Sequence, residues 1–146
     1  MRSGSLALTA LAAFATLASA AGCGGASDER RVRDALARYE RAVSRHDYAD
    51  LCRNVLASQL LGRLSRVGIP CEQALRIGLG GVRRPTLEIL RVKVNGSSAL
   101  ALVRSGAARQ ATSTDTVQLV REKGSWRLSA LAGQQPPAPK SKRSGD

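Results

Sequence analysis

The stretch Thr86-Leu87-Glu88-Ile89-Leu90-Arg91-Val92-Lys93-Val94-Asn95-Gly96-Ser97-Ser98-Ala99-Leu100-Ala101-Leu102-Val103 decides the fold class. Before Pro85, apolar residues recur every three or four positions. From here they recur every second one, the spacing of a strand with one buried face. Leu90, Val92 and Val94 alternate with Ile89, Arg91 and Lys93, and Asn95-Gly96 signals a hairpin turn. Ala99, Ala101 and Val103 share one face of the returning strand, with Leu100 and Leu102 on the other. After a polar loop over residues 106–113, residues 116–122 pair with 125–131 across Lys123-Gly124. Parity makes the inward wall Leu90, Val92, Val94, Val117, Leu119, Trp126 and Leu128. Glu88 has the same parity as Leu90, which lets it point inward near the end of its strand.

The residues ahead of this sheet read as helices. Asp28 and Glu29 place acidic groups at a helix start with Ser27 as N-cap. Val32, Leu36, Tyr39 and Val43 then form an apolar stripe, with Arg31, Asp34, Arg38, Glu40, Arg41 and Arg45 on the other face. His46-Asp47 breaks the stripe, and Asp47 caps a second helix that kinks or restarts near Ala57-Ser58. Gly68-Ile69-Pro70 stops it. A short third helix runs from Cys71 into the cluster Gly78, Gly80 and Gly81. Helices followed by four antiparallel strands make an α+β domain over residues 28–133, its curved sheet packed on the helices.

The N-terminus reads as an address. Arg2 precedes an apolar run from Leu6 to Leu17 and then Ala18-Ser19-Ala20-Ala21-Gly22, the layout of a secretory signal over residues 1–22, too short for a permanent membrane span. Ala20-Ala21-Gly22-Cys23 matches a bacterial lipobox except at its first position, where Leu is preferred. Lipidation at Cys23 would anchor the chain on the outer face of the cytoplasmic membrane. Cleavage after Ala20, leaving a secreted protein, is the competing reading. Residues 23–27 read as a flexible tether. With Cys23 lipidated, Cys52 and Cys71 remain as an even pair in an oxidising compartment, a disulfide rather than two buried thiols. The tail, residues 134–146, has three Pro and no apolar period and reads as disordered.

Composition narrows the function classes. The 146 residues carry 23 Lys plus Arg against 11 Asp plus Glu, a formal charge of +12, and 19 of the 23 basic residues are Arg. This arginine bias, with so much Ala, Gly and Leu, is first of all what a GC-rich genome imposes on a surface; attraction to anionic lipid or wall polymers is the functional alternative. Aromatic residues at 3% leave no stacking platform for nucleic acid. One His and three Cys do not assemble a four-ligand zinc site. No phosphate loop, Ser-His-Asp arrangement or metal-ligand spacing appears, so no cofactor is expected. His46 beside Asp47 invites an acid–base reading, but its place at a helix end suits capping better.

The opening helix running into Tyr39-Glu40-Arg41-Ala42-Val43-Ser44-Arg45-His46-Asp47-Tyr48 resembles the start of nuclear-transport-factor-2-like (NTF2-like, SnoaL-like) domains. So does the terminal hairpin Val117-Gln118-Leu119-Val120-Arg121-Glu122-Lys123-Gly124-Ser125-Trp126-Arg127-Leu128, in which Gly-x-Trp opens the last strand. The resemblance spans roughly residues 28–131. In a narrower sense the chain is similar to small exported lipoproteins of actinobacteria with a Cys pair between helices. It implies a cone-shaped fold with the sheet curled over the helices, and a pocket drawn from Glu88, Leu90, Val92, Trp126 and Tyr39. One departure is that no strand is visible between the second and third helices.

Enzymes of that family hold a carboxylate inside the cone. Here the strand carboxylates are Glu88, Asp115 and Glu122, and only Glu88 has the parity to enter. The expectation is therefore a non-catalytic, membrane-tethered module that binds a small apolar ligand or an envelope protein. A structural envelope lipoprotein without a pocket and a cone-fold isomerase, dehydratase or hydrolase are the alternatives.

Overall fold

The computed structural model describes residues 24–130. The signal segment, Cys23, and residues 131–146 with the expected tail lie outside them. Helix α1 (Gly24–Arg45) is followed by a single turn, α2 (Tyr48–Asp50), that continues as a π-helical turn (Leu51–Val55). Helices α3 (Ser58–Arg66) and α4 (Cys71–Leu79) come next, then strands β1 (Thr86–Asn95), β2 (Ser98–Gly106), β3 (Ser113–Glu122) and β4 (Ser125–Ala130). The strands form one antiparallel meander in the order β1-β2-β3-β4. The α+β class, with helices on a four-stranded sheet, is as the periodicity required.

Residues 24–27, expected as a tether, are helical, so Ser27 lies inside α1 and is not its cap. The early carboxylates are engaged within the helix: Glu29 pairs with Arg33 at 2.8 Å, and Asp28 reaches Arg31 at 3.6 Å and Arg121 of β3 at 3.3 Å. Helix α1 ends where His46 takes a left-handed φ of 55°. Asp47 then caps α2 as expected, its carboxylate accepting the Asp50 N–H at 2.9 Å. The restart expected near Ala57-Ser58 is also present. Ala57 N–H donates to Leu128 O at 2.8 Å, and Leu56 forms an isolated parallel bridge with Leu128. That single bridge is all that stands between the second and third helical segments in place of a strand.

Helix α1 packs against both β1 and β4, the two edges of the sheet, so the sheet curls around it. Val32, Leu36 and Val43 of α1 are buried with Ala99, Ala101, Val103, Val117, Leu119, Trp126 and Leu128 of the sheet. Leu51, Val55, Leu56, Leu60 and Leu75 close the core from the helical side. Two irregularities supply the bend. In β1, Ile89 pairs with Val103 and Arg91 with Leu102, leaving Leu90 as an extra residue. In β4, Leu128 pairs with Leu119 and Ala130 with Gln118, leaving Ser129.

The bulge at Leu90 corrects the expected inner face. Ahead of it Leu87 and Ile89 turn inward; beyond it Val92 and Val94 do. Leu90 itself is exposed, and Glu88 lies in solvent, paired with Arg104 at 2.9 Å. Strict alternation fails because an inserted residue resets the period of two. The first hairpin differs by one position as well. Asn95 pairs with Ser98, so the two-residue loop is Gly96-Ser97, with Gly96 at φ 58° in the first position that a type II′ turn assigns to glycine. In the second loop Lys123 and Gly124 both have positive φ, as a type I′ turn requires.

Cys52 of the π-helical turn is bonded to Cys71, the first residue of α4, with Cα atoms 6.1 Å apart. The bond ties the kinked second segment to α4 across the Gly68-Ile69-Pro70 reversal. It joins cysteines 19 positions apart in sequence, for which chain-entropy estimates give about 3 kcal/mol. The Cys52→Ser/Cys71→Ser double variant is therefore expected to melt roughly 10–20 °C lower in a calorimetric or circular-dichroism scan. An unchanged melting temperature would deny the bond a structural role.

Candidate functional site

Between α1, the end of α4 and the open ends of β1 and β2 lies a cleft of about 170 Å³. Helix α1 presents Tyr39, Glu40 and Val43 to it, Leu79 and Val82 come from the end of α4, and Leu87 from the first turns of the sheet. The wall mixes these hydrocarbon groups with polar ones, Thr86, Ser105, Gln110 and Ser113. Glu40 is positioned by β1, an edge strand with one free row of N–H groups: its carboxylate accepts the Leu87 N–H at 3.1 Å. Tyr39, one residue earlier, is mostly buried, and its hydroxyl forms no hydrogen bond among the described residues. Burial pushes its pKa above the ordinary tyrosine value, because the phenolate would lose its hydration. The hydroxyl remains a donor and acceptor beside the cleft's apolar groups. Such a site can hold a small apolar molecule by one polar group.

A second cleft, of about 400 Å³, lies between α1, the π-helical turn and the start of β4. Trp126 is in its wall, beneath a cation–π contact from Arg121 at 5.8 Å. Arg38 stands at its rim in a two-pronged pair with Asp50, Nε to Oδ2 at 3.0 Å and Nη2 to Oδ1 at 2.6 Å. Asn54 donates to the same carboxylate at 2.8 Å.

The five residues expected to share a pocket are therefore dispersed. Tyr39 lines the smaller cleft, Trp126 the larger, and Val92 packs against the core between them. Glu88 and Leu90 face outward. His46 is exposed, 3.1 Å from Arg83 Nη1, while Asp47 is occupied as a helix cap, so the adjacent pair forms no dyad. Asp115 accepts from the Ser113 hydroxyl at 2.6 Å, and Glu122 accepts from the backbone and hydroxyl of Ser58 at 3.1 and 3.0 Å. Sequence reasoning placed Glu40 on the outer face of α1 and missed its role. The available signal was its spacing of four from the buried Leu36.

No protein-family model matches the sequence, and no curated protein matches it either. Solved structures do match. A crystal structure of an NTF2-like protein of unknown function from Shewanella baltica superposes with a TM-score of 0.54 at 14% identity, covering 73% of this chain and 92% of that one. Another NTF2-like protein of unknown function, from Silicibacter pomeroyi, gives 0.52 at 15%, covering 70% and 91%. The fold is NTF2-like. At these identities the likeness extends to architecture alone.

The Arg38–Asp50 pair makes stability depend on acid. Hydrogen bonds from Arg38 first, then Asn54, hold the Asp50 carboxyl below its ordinary value. A depressed folded pKa means the contribution is complete above the unfolded value of about 3.9 and is lost as pH falls through the folded one. Because Arg38 is half exposed, the contribution stays under about 1 kcal/mol. Asp50→Asn is expected to cost that much at pH 7 in denaturant titration, with the gap from the parent closing below about pH 4.

Proposed function

We propose that the chain is a non-catalytic binding module of the cell envelope, tethered to the outer face of the cytoplasmic membrane through lipid on Cys23. The observation that carries the binding reading is the cleft at the mouth of the cone, where Val43, Leu79, Val82 and Leu87 surround Tyr39, whose hydroxyl has no hydrogen bond among the described residues. A few polar groups set among apolar ones are the usual means of orienting a small ligand. The non-catalytic reading is supported by the sheet's inner face, where the described positions are hydrocarbon or indole and the strand carboxylates point elsewhere.

Export is supported by two independent features. The first 22 residues have the layout of a secretory signal ahead of Cys23. The Cys52–Cys71 bond suits an oxidising compartment. Among the described residues no helix is long and apolar enough to cross a membrane. The packed core favours one second reading, a structural envelope lipoprotein that takes no small ligand.

A ligand-observed NMR screen of small apolar molecules with one hydrogen-bonding group separates these readings. At least one saturable ligand is expected, with Tyr39→Phe weakening it about 2- to 10-fold, the value of one neutral hydrogen bond, and leaving the melting temperature unchanged. A screen without hits would favour the structural reading, and turnover of a hit would establish an enzyme. For the anchor, intact mass of detergent-extracted protein should carry a diacylglyceryl increment on Cys23, and Cys23→Ala should release the protein. A mature terminus at Ala21 would refute lipidation.

A further inference from the structure

The larger cleft has a chemistry that the apolar mouth does not share, and the two have no lining residue in common. Arg31, Arg38 and Arg41 reach it from α1 because spacings of seven and three place them on one flank of the helix. Arg127 joins them from β4, so four guanidinium groups face one carboxylate, that of Asp34.

Their engagements leave donors over. Arg38 spends Nε and Nη2 on Asp50 and keeps Nη1. Arg31 reaches Asp28 only at 3.6 Å, with its side chain 61% exposed. Arg127 Nη1 donates to the Arg53 carbonyl at 2.8 Å, and its nearest carboxylate, Glu122, is 4.0 Å away. Arg41 has no hydrogen bond or ion pair among the described residues. Trp126, in the wall of this cleft, is only 5% exposed, and its indole Nε1 is buried behind that wall without a hydrogen-bond partner among the described residues. Buried polar atoms are seldom left so.

What the cleft offers an occupant is therefore mostly N–H and positive charge. An occupant must bring acceptors, and negative charge to answer Arg41, which has no ion pair among the described residues, together with Arg31 and Arg127, whose carboxylates stand 3.6 and 4.0 Å away. A monocarboxylate answers only one of them. We propose that this cleft binds a compact phosphate-type polyanion, a phosphate ester or diphosphate carrying two or more charges. Guanidinium forks match phosphate oxygens in pairs, and the volume of about 400 Å³ admits a diphosphate with a small substituent. The assignment does not depend on the reading of the Tyr39 cleft.

Trp126 is the chain's one tryptophan, so its emission reports directly on the cleft. The full exported protein is titrated with inorganic pyrophosphate at low salt, followed by Trp126 fluorescence and by heat. Saturable binding is expected, weakened at least fivefold by Arg41→Gln and shifted less than twofold by Arg91→Gln, which removes the same charge from the exposed face of β1. Arg41 is exposed and unpaired, so its variant should melt like the parent. No saturable binding by either readout would overturn the proposal, as would an equal loss in Arg91→Gln, which would mean attraction to net charge alone. Repeating the variants with phosphatidic acid vesicles identifies the source. Arg41-dependent sedimentation assigns a lipid headgroup, and pyrophosphate binding without it assigns a soluble phosphate compound.

Discussion

Contact of one helix with both edges of a four-stranded sheet is the constraint on which this structure depends. A helix lying along a flat sheet would meet only the strands beneath it, whereas a curved sheet brings its edges round the helix. Here β1 and β4 each carry an extra residue, Leu90 and Ser129, and each insertion bends its strand toward α1. The helix answers with Val32 and Leu36, fully buried, and β2 presents the small side chains Ala99 and Ala101 to the interior. The disulfide and the Leu56–Leu128 bridge then hold the remaining helical segments over the open side.

From that arrangement follow the two clefts. A helix clasped between strands has two flanks, and each meets a different neighbour. Toward β1 and α4 the flank carries Tyr39, Glu40 and Val43, and the neighbours Leu79, Val82 and Leu87 are apolar. Toward β4 and the π-helical turn it carries Arg31, Asp34, Arg38 and Arg41. The interior itself is filled by Trp126, Leu119 and Leu128. The chemistry of this cone is thus at its rims, where water and ligands meet side chains that the core does not require.

Reading a pocket from strand parity succeeded only in part. Val92, Val94, Val117, Leu119, Trp126 and Leu128 turn inward as alternation requires. Leu90 and Glu88 do not, and their displacement removes the one strand carboxylate that the resemblance to cone-fold enzymes brought into question. Tyr39 was legible as a pocket residue because it sits on the apolar stripe of α1. Glu40 was not, because its partner is a backbone N–H 47 residues away on an edge strand.

What the sequence by itself determined is what local physics decides. Helical and strand periods, the Asp47 cap and the glycines that accept positive φ at the hairpin turns depend on neighbours within a few residues. The even cysteine pair was legible too, since its count needs no geometry. Only the tertiary structure decided where β1 slips by one residue, which side of that strand carries charge, and which flank of α1 gathers arginines around Trp126. A bulge is a property of two paired strands, and a cleft is a property of surfaces brought together across the chain. Neither leaves a mark in the spacing of residues along one segment.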